Sequence, residues 1–403
     1  MQKSTFFLMG LGRISVLVLI FLLPFVIKLS AQEKIPILAW YSIPASDATV
    51  ERYQELKDAG FTITFSHTSN FEDAKNVLDL AATVGIKSMF TCSELESDPE
   101  GTVRKVKDHP GLAGYFLRDE PTSKDFPTLA EWAKRIRAVD NIHHCYLNLF
   151  PNYVPEDVLG ETYEEHVQRF IEEVNLEMVS FDFYPIVRDQ LRERWYDNLE
   201  VIAEKSRAAG KPFWAFALTT AHDDYPIPNA AQLKLQMYSN LAYGAQCLQY
   251  FTYWNPGTTH WNFHEAPITS EKKRSPVYDL VREVNKELQN RAFVFMGANV
   301  ISLHHIGNEI PVGTKKLTIL PEQVTSLDTD GGGAVISLLE KDGFQYLVIV
   351  NRSFLKPLDL RIQFNGQVEA VRKDGTLDDA SKYGSWYKLE AGEAEIFRWK
   401  ETN

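Results

Sequence analysis

Three cysteines in 403 residues, Cys92, Cys145 and Cys247, are too few and too widely spaced for a disulfide framework. Each falls in an apolar run, where a thiol packs as a small hydrophobe. Basic residues are also short: 42 Lys and Arg stand against 54 Asp and Glu, for a net charge of -12. A chain this acidic repels polyanions, so nucleic acid is not expected as a partner. Long hydrophobic runs are nearly absent. The one exception, residues 15–27, is about 13 residues long and falls short of the roughly 20 that a spanning helix needs. Missing too are a glycine-rich phosphate loop after the first apolar strand, where Tyr41-Ser42-Ile43-Pro44 stands instead, and any Gly-x-Ser-x-Gly elbow. His260 and His264 stand four apart but lack the neighbouring glutamate of a zinc-protease helix, and Pro256 and Gly257 mark a loop there. No metal and no cofactor is expected.

What is present is an average globular composition, 44% hydrophobic and 24% charged, with a high aromatic load of 12%. Lys3 and Arg13 precede the apolar run, and Leu29-Ser30-Ala31 follows it. That order is a signal peptide over residues 1–31, with an uncleaved anchor as the alternative. It implies export to the periplasm or cell surface, with no stable membrane insertion after cleavage.

From residue 32 to 296 short β-rich runs alternate with longer helical patterns. Expected strands cover 37–41, 61–66, 86–91, 112–117, 144–149, 178–184, 212–218 and 247–253. Helices follow them at 48–59, 71–84, 101–107, 129–139, 163–174, 191–209, 230–243 and 277–290. Gly60, Gly85, Gly111, Gly210 and Gly244 are expected to close helices just before strands, where a left-handed cap is needed. Eight such units make a (β/α)8 barrel, an α/β fold. Residues 297–403 change character. Runs at 344–350, 358–362 and 394–398, separated by Gly, Asp and Asn turns, predict a smaller all-β sandwich domain.

A barrel of this kind places its chemistry at the C-terminal ends of the strands. Strand four ends in Arg118-Asp119-Glu120-Pro121, strand five carries Asn148, and strand six carries Asp182 and Tyr184. Strand eight runs into Trp254 and Asn255, and strand one ends near Trp40. Carboxylates, Asn, Tyr and Trp on one face suit a sugar. Glu120 is the candidate proton donor, or else a salt-bridge partner of Arg118 or a cap of the following helix. Asp182, inside an apolar strand, needs a functional or ionic partner. Tyr184 and Trp254 are candidate stacking platforms, or simply core.

Gly114-Tyr115-Phe116-Leu117-Arg118-Asp119-Glu120-Pro121 resembles the strand-four signature of clan A glycoside hydrolases, usually Asn-Glu-Pro. Ser180-Phe181-Asp182-Phe183-Tyr184-Pro185 resembles the strand-six segment of family 42 β-galactosidase-like members, and the barrel is similar to those of exported Bacteroidetes proteins of this type. The resemblance implies Glu120 as general acid/base and a carbohydrate substrate. It further implies Trp254 as the floor of the sugar site, with Asp119 where the clan has the Asn that contacts the 2-hydroxyl. Strand seven departs from the pattern. It reads Trp214-Ala215-Phe216-Ala217-Leu218-Thr219-Thr220, with no acid at the clan's nucleophile position. Three readings follow. Asp182 or a loop acid (Asp223, Asp224 or Glu265) replaces the nucleophile, with Asp182 favoured; the enzyme inverts through a more distant base; or the barrel binds glycans without cleaving them. Asp119, Asn148, Tyr184, Trp254, Asn255 and Trp40 are the expected sugar-binding residues.

Overall fold

In the computed structural model, which describes residues 33–257 and 261–401, eight parallel strands carry the N-terminal part of the chain. They are β1 (Ile37–Trp40), β2 (Ile63–Thr64), β3 (Lys87–Phe90), β4 (Leu112–Asp119), β5 (His144–Asn148), β6 (Val179–Phe181), β7 (Phe213–Leu218) and β8 (Cys247–Phe251). Hydrogen bonding runs β5-β4-β3-β2-β1-β8-β7-β6. A parallel bridge between Leu149 and Phe181, with the Leu149 amide donating to the Ser180 carbonyl at 2.8 Å, closes β5 onto β6. The sheet is therefore a barrel, as the eightfold alternation predicts. The signal peptide expected over residues 1–31 lies outside the described residues. Among those residues no helix is long and apolar enough to cross a membrane. All three cysteines are free and buried.

The eight longer helices form where caps and amphipathic spacing place them. They are α1 (Val50–Asp58), α2 (Phe71–Thr83), α3 (Pro99–Val106), α4 (Phe126–Arg137), α5 (Tyr163–Arg169), α6 (Trp195–Ala208), α7 (Ala230–Tyr243) and α8 (Pro276–Asn290). Thr49, Asn70 and Asp98 cap the first three, and reciprocal Thr162–Glu165 and Asn229–Gln232 boxes open α5 and α7. One expected cap is absent. Gly111 lacks the left-handed backbone that Gly244 adopts at φ +105; a Cβ there would meet the Leu78 carbonyl at 2.7 Å, so close packing on α2 is what demands glycine.

Strand alternation sends Leu38, Trp40, Phe65, Met89, Phe116, Tyr146, Trp214, Phe216 and Cys247 into one cluster inside the barrel. The β6 strand is shorter than expected, so Asp182 and Tyr184 lie beyond its end, at the mouth.

The strands from residue 299 onward are antiparallel. They are β9 (Asn299–Ile306), β10 (Val324–Asp328), β11 (Ala334–Lys341), β12 (Phe344–Asn351), β13 (Leu358–Phe364), β14 (Glu369–Val371), β15 (Leu377–Asp379), β16 (Tyr387–Leu389) and β17 (Ala394–Lys400). They form a six-stranded sheet, β9-β11-β12-β17-β14-β15, and a three-stranded sheet, β10-β13-β16. The core they share includes Ile336, Leu347, Leu360, Ile362 and Phe397. Arg291, just past α8, is buried and donates to the carbonyls of Val371, Arg372 and Ala394 and to the Tyr238 hydroxyl. It ties the barrel to these strands.

Candidate active site

A register shift in β4 decides which side chain enters the barrel. Phe116 pairs with Tyr146, but Arg118 pairs with Leu147 and Asp119 with Asn148, leaving Leu117 as the extra residue. Without this bulge the alternation that puts Phe116 inside would put Arg118 inside as well. With it, Arg118 turns out to Asp125 at 2.7 Å and Asp119 turns in. Glu120 follows in the left-handed region at φ +45, a conformation a glutamate rarely adopts, with its amide donating to the Asn148 carbonyl at 2.8 Å. Consecutive carboxyl groups are thereby both turned toward the mouth.

Asp182 completes a wall of three acids. It is 7% exposed, accepts from Asn148 Nδ2 at 2.7 Å, and lies close enough to Glu120 for that charge to raise its pKa. The same Asn148 nitrogen stands 3.4 Å from Asp119. Asp119 is open to solvent yet surrounded by protein, as a group deep in a recess is. Burial raises its pKa to about 6. Burial, then the charge of Asp119, pushes Glu120 up to about 7, and the hydrogen bond from Asp182 partly offsets that rise. Asp182 lies well above the ordinary carboxylate range, chiefly from burial and then from the charges of Glu120 and Asp119.

Asn148 is itself held. Ser180 Oγ donates to Asn148 Oδ1 at 2.9 Å, Gln249 Nε2 donates to Ser180 Oγ at 2.9 Å, and the Tyr146 hydroxyl donates to Gln249 Oε1 at 2.6 Å. The Tyr184 ring, beside the three acids, stacks on Phe251 at 5.4 Å. Around the rim, His222 packs on Tyr225 and Phe263, Trp261 on Phe263, and Tyr153 on Phe183 with the Arg192 guanidinium 4.4 Å from its ring. Of these groups, Tyr146, Gln249 and Phe251 were not singled out by sequence reasoning. The inward alternation along β5 and β8 is the signal that could have found them.

The expected residues divide. Glu120, Asp119, Asp182, Asn148 and Tyr184 come together. Trp254 does not join them: it is 5% exposed, packs in the layer outside the barrel and lies under the Arg52 guanidinium of α1, 5.3 Å from its ring. Phe251, three residues earlier, takes the place beside Tyr184. Asn255 is spent on its own loop, accepting from the Gly257 amide and donating to the Phe263 carbonyl. Trp40 is 3% exposed and fills the barrel interior against Phe65, Phe116 and Phe216. Strand seven ends as read: Thr219 and Thr220 are fully buried and bonded to Thr252. Asp224 is held at the surface by Arg188, and Asp223 and Glu265 are exposed. His260 lies outside the described residues. Among the described residues no group of three or more His, Cys, Asp or Glu side chains is arranged to hold a metal ion.

Comparison with known proteins adds a family likeness over part of the chain and confirms the fold. A family profile for β-galactosidase, Glyco_hydro_42, matches residues 148–291. The likeness is to glycoside hydrolase family 42. Its matched segment takes in Asn148, Asp182, Gln249 and Phe251, and begins beyond Asp119 and Glu120. A β-galactosidase from Bacillus circulans sp. alkalophilus superposes with a TM-score of 0.62 at 10% identity, over 91% of this chain and 99% of that one. A GH42 β-galactosidase from G. stearothermophilus gives 0.58 at 9% identity, over 92% and 99%. An Anoxybacillus α-amylase gives 0.55 at 11% identity, over 92% and 99%. At such identities the agreement speaks for the shared barrel-and-sheet architecture. No curated protein matches the sequence.

Proposed function

We propose that the protein is a glycoside hydrolase in which Glu120 gives its proton to the leaving glycosidic oxygen. The observation that carries this is the placement of Glu120 beside Asp119 and Asp182 beyond the ends of β4 and β6, where burial and the Asp119 charge raise its pKa to about 7. An acid so placed keeps its proton near neutrality and still releases it readily. The family 42 segment supports the same reaction class. A barrel that only bound glycans would gain nothing from three acids driven above their ordinary range, since each is held at a cost in stability.

Asp119, ionised above about 6, faces the positive charge that develops on the sugar ring. Asp182 steadies the Glu120 carboxylate once its proton has gone. Two-carboxylate mechanisms set their acids on opposite faces of the scissile bond, about 5–5.5 Å apart for retention or about 6.5–9.5 Å for inversion. On this reading water attacks the anomeric carbon and gives its proton to the ionised Asp119 carboxylate, with Asp182 as the partner of Glu120.

β-Galactosides are the substrate class that the family description favours. The leader-like residues 1–31 support action in the periplasm or at the cell surface. The test is product release from a panel of aryl and oligosaccharide glycosides that includes β-galactosides. Hydrolysis of any member supports the reading; a folded protein that turns over none of them contradicts it.

A further inference from the structure

Resting on the acid role of Glu120, we infer that Tyr146, Gln249 and Ser180 are positioning residues that form, with Asn148 and Asp182, a one-way hydrogen-bond relay ending on the Glu120 carboxyl. Every link is buried: Tyr146, Gln249 and Ser180 are fully inaccessible, and Asn148 nearly so. Three strands supply it, β5, β6 and β8. Polar side chains in the middle of a barrel are unfavourable unless each bond is made, and an apolar trio would pack the same space. Their presence calls for a role at the site they lead to.

The direction of the relay follows from its end. Asn148 Nδ2 lies 2.7 Å from Asp182 and 3.4 Å from Asp119. Between two acids of which Asp119 is ionised, the amide nitrogen rather than the oxygen must face them. Asn148 Oδ1 then needs a donor, which is Ser180. The Ser180 oxygen accepts from Gln249 Nε2, and Gln249 Oε1 accepts from Tyr146. With Asp182 Oδ1 occupied as an acceptor, the Asp182 proton is left for Glu120. Each donation strengthens the next, so the carboxylate that remains after Glu120 protonates a leaving oxygen meets a donor already in place.

Breaking the relay at Ser180 removes the donor to Asn148 Oδ1 and frees the amide to turn. Asp182 then gives its hydrogen to Asn148, and Glu120 loses the bond that favours its ionised form. The Glu120 pKa rises. The test is the carboxyl titration of Glu120, followed by carbon NMR in the full chain, for wild type, Ser180→Ala and the shape-preserving Tyr146→Phe. The relay predicts a midpoint higher by about one pH unit in Ser180→Ala and a smaller shift of the same sign in Tyr146→Phe. On a hydrolysed glycoside it also predicts kcat lower by about tenfold with KM within twofold. If Ser180→Ala fails to fold, Tyr146→Phe carries the test. A Glu120 midpoint unmoved in the folded variants overturns the relay. The titration needs no turnover, so a wild-type protein that hydrolyses nothing would remove the acid role and still leave the relay judged on its own.

Discussion

The carboxyl groups of Glu120 and Asp182, carried just beyond the ends of β4 and β6, stand together at the barrel mouth, where the charge of Glu120 raises the pKa of Asp182. Like charges this close do not both ionise at neutral pH, so the pair keeps a proton where solvent-exposed carboxyl groups would have lost theirs. The consequence for activity is a narrow pH optimum. Rates fall as pH rises through about 7, where Glu120 loses its proton, and fall as pH drops through about 6, where Asp119 gains one. A kcat/KM profile from pH 4 to 9 measures both limbs. In Asp119→Asn the acidic limb disappears, and the alkaline limb moves to lower pH because the charge that raises Glu120 is gone.

The same shifts bear on stability with a definite sign. Glu120 and Asp182 have higher pKa values folded than unfolded, so the native state binds more protons from about pH 4 upward. Stability contributed by these groups is present at low pH and is lost as pH rises through their folded values. Asp182→Asn removes the buried acid and keeps an acceptor for Asn148. Its Tm at pH 8 is expected to exceed that of wild type by about 2 °C or more, with the gain vanishing near pH 4. Thermal melts at the two pH values check this.

Aromatic residues near the mouth separate by role. Phe251→Ala opens the face beside Tyr184 and should raise KM several-fold with a modest change in Tm. Trp254→Ala removes a buried ring packed under Arg52 and should lower stability by about 3–5 kcal/mol with little change in KM for the protein that remains folded. Paired denaturation and kinetic measurements on the two variants distinguish them.

Arg291 offers a test of how the two parts of the chain cohere. Its guanidinium serves three carbonyls and the Tyr238 hydroxyl from a nearly inaccessible position, with Glu287 at 3.7 Å. Arg291→Met leaves these acceptors without their donor and should cost about 3–5 kcal/mol. Urea unfolding followed by tryptophan fluorescence reads the loss.

Most of the architecture was legible because it is periodic. Strand and helix alternate by pattern, the caps are local, and the strand-four motif marks the wall that carries Glu120. Other features depend on register and packing. The β4 bulge, which exchanges Arg118 for Asp119, leaves no trace in a one-dimensional alternation. Trp254 stands after β8, where a platform is expected, but the chain turns outward after Phe251 and packs the indole under Arg52 of α1. Asn255, an expected sugar contact, spends its amide on its own loop. The strands β9 and β11 carry a blurred alternation because their residues pack on the barrel as well as on each other. The contact between Glu120 and Asp182 joins residues from separate strands, and no sequence spacing encodes it.

The central claim is that Glu120 is the proton donor, and leaving-group dependence tests it most directly. Glu120→Gln should be compared with wild type on a sugar-leaving glycoside and on the matching 2,4-dinitrophenyl glycoside, whose leaving group needs no proton. The account predicts a loss of about 10²–10⁴ in kcat/KM on the first and little loss on the second. Equal losses on both substrates, or wild-type turnover of the first, would contradict it.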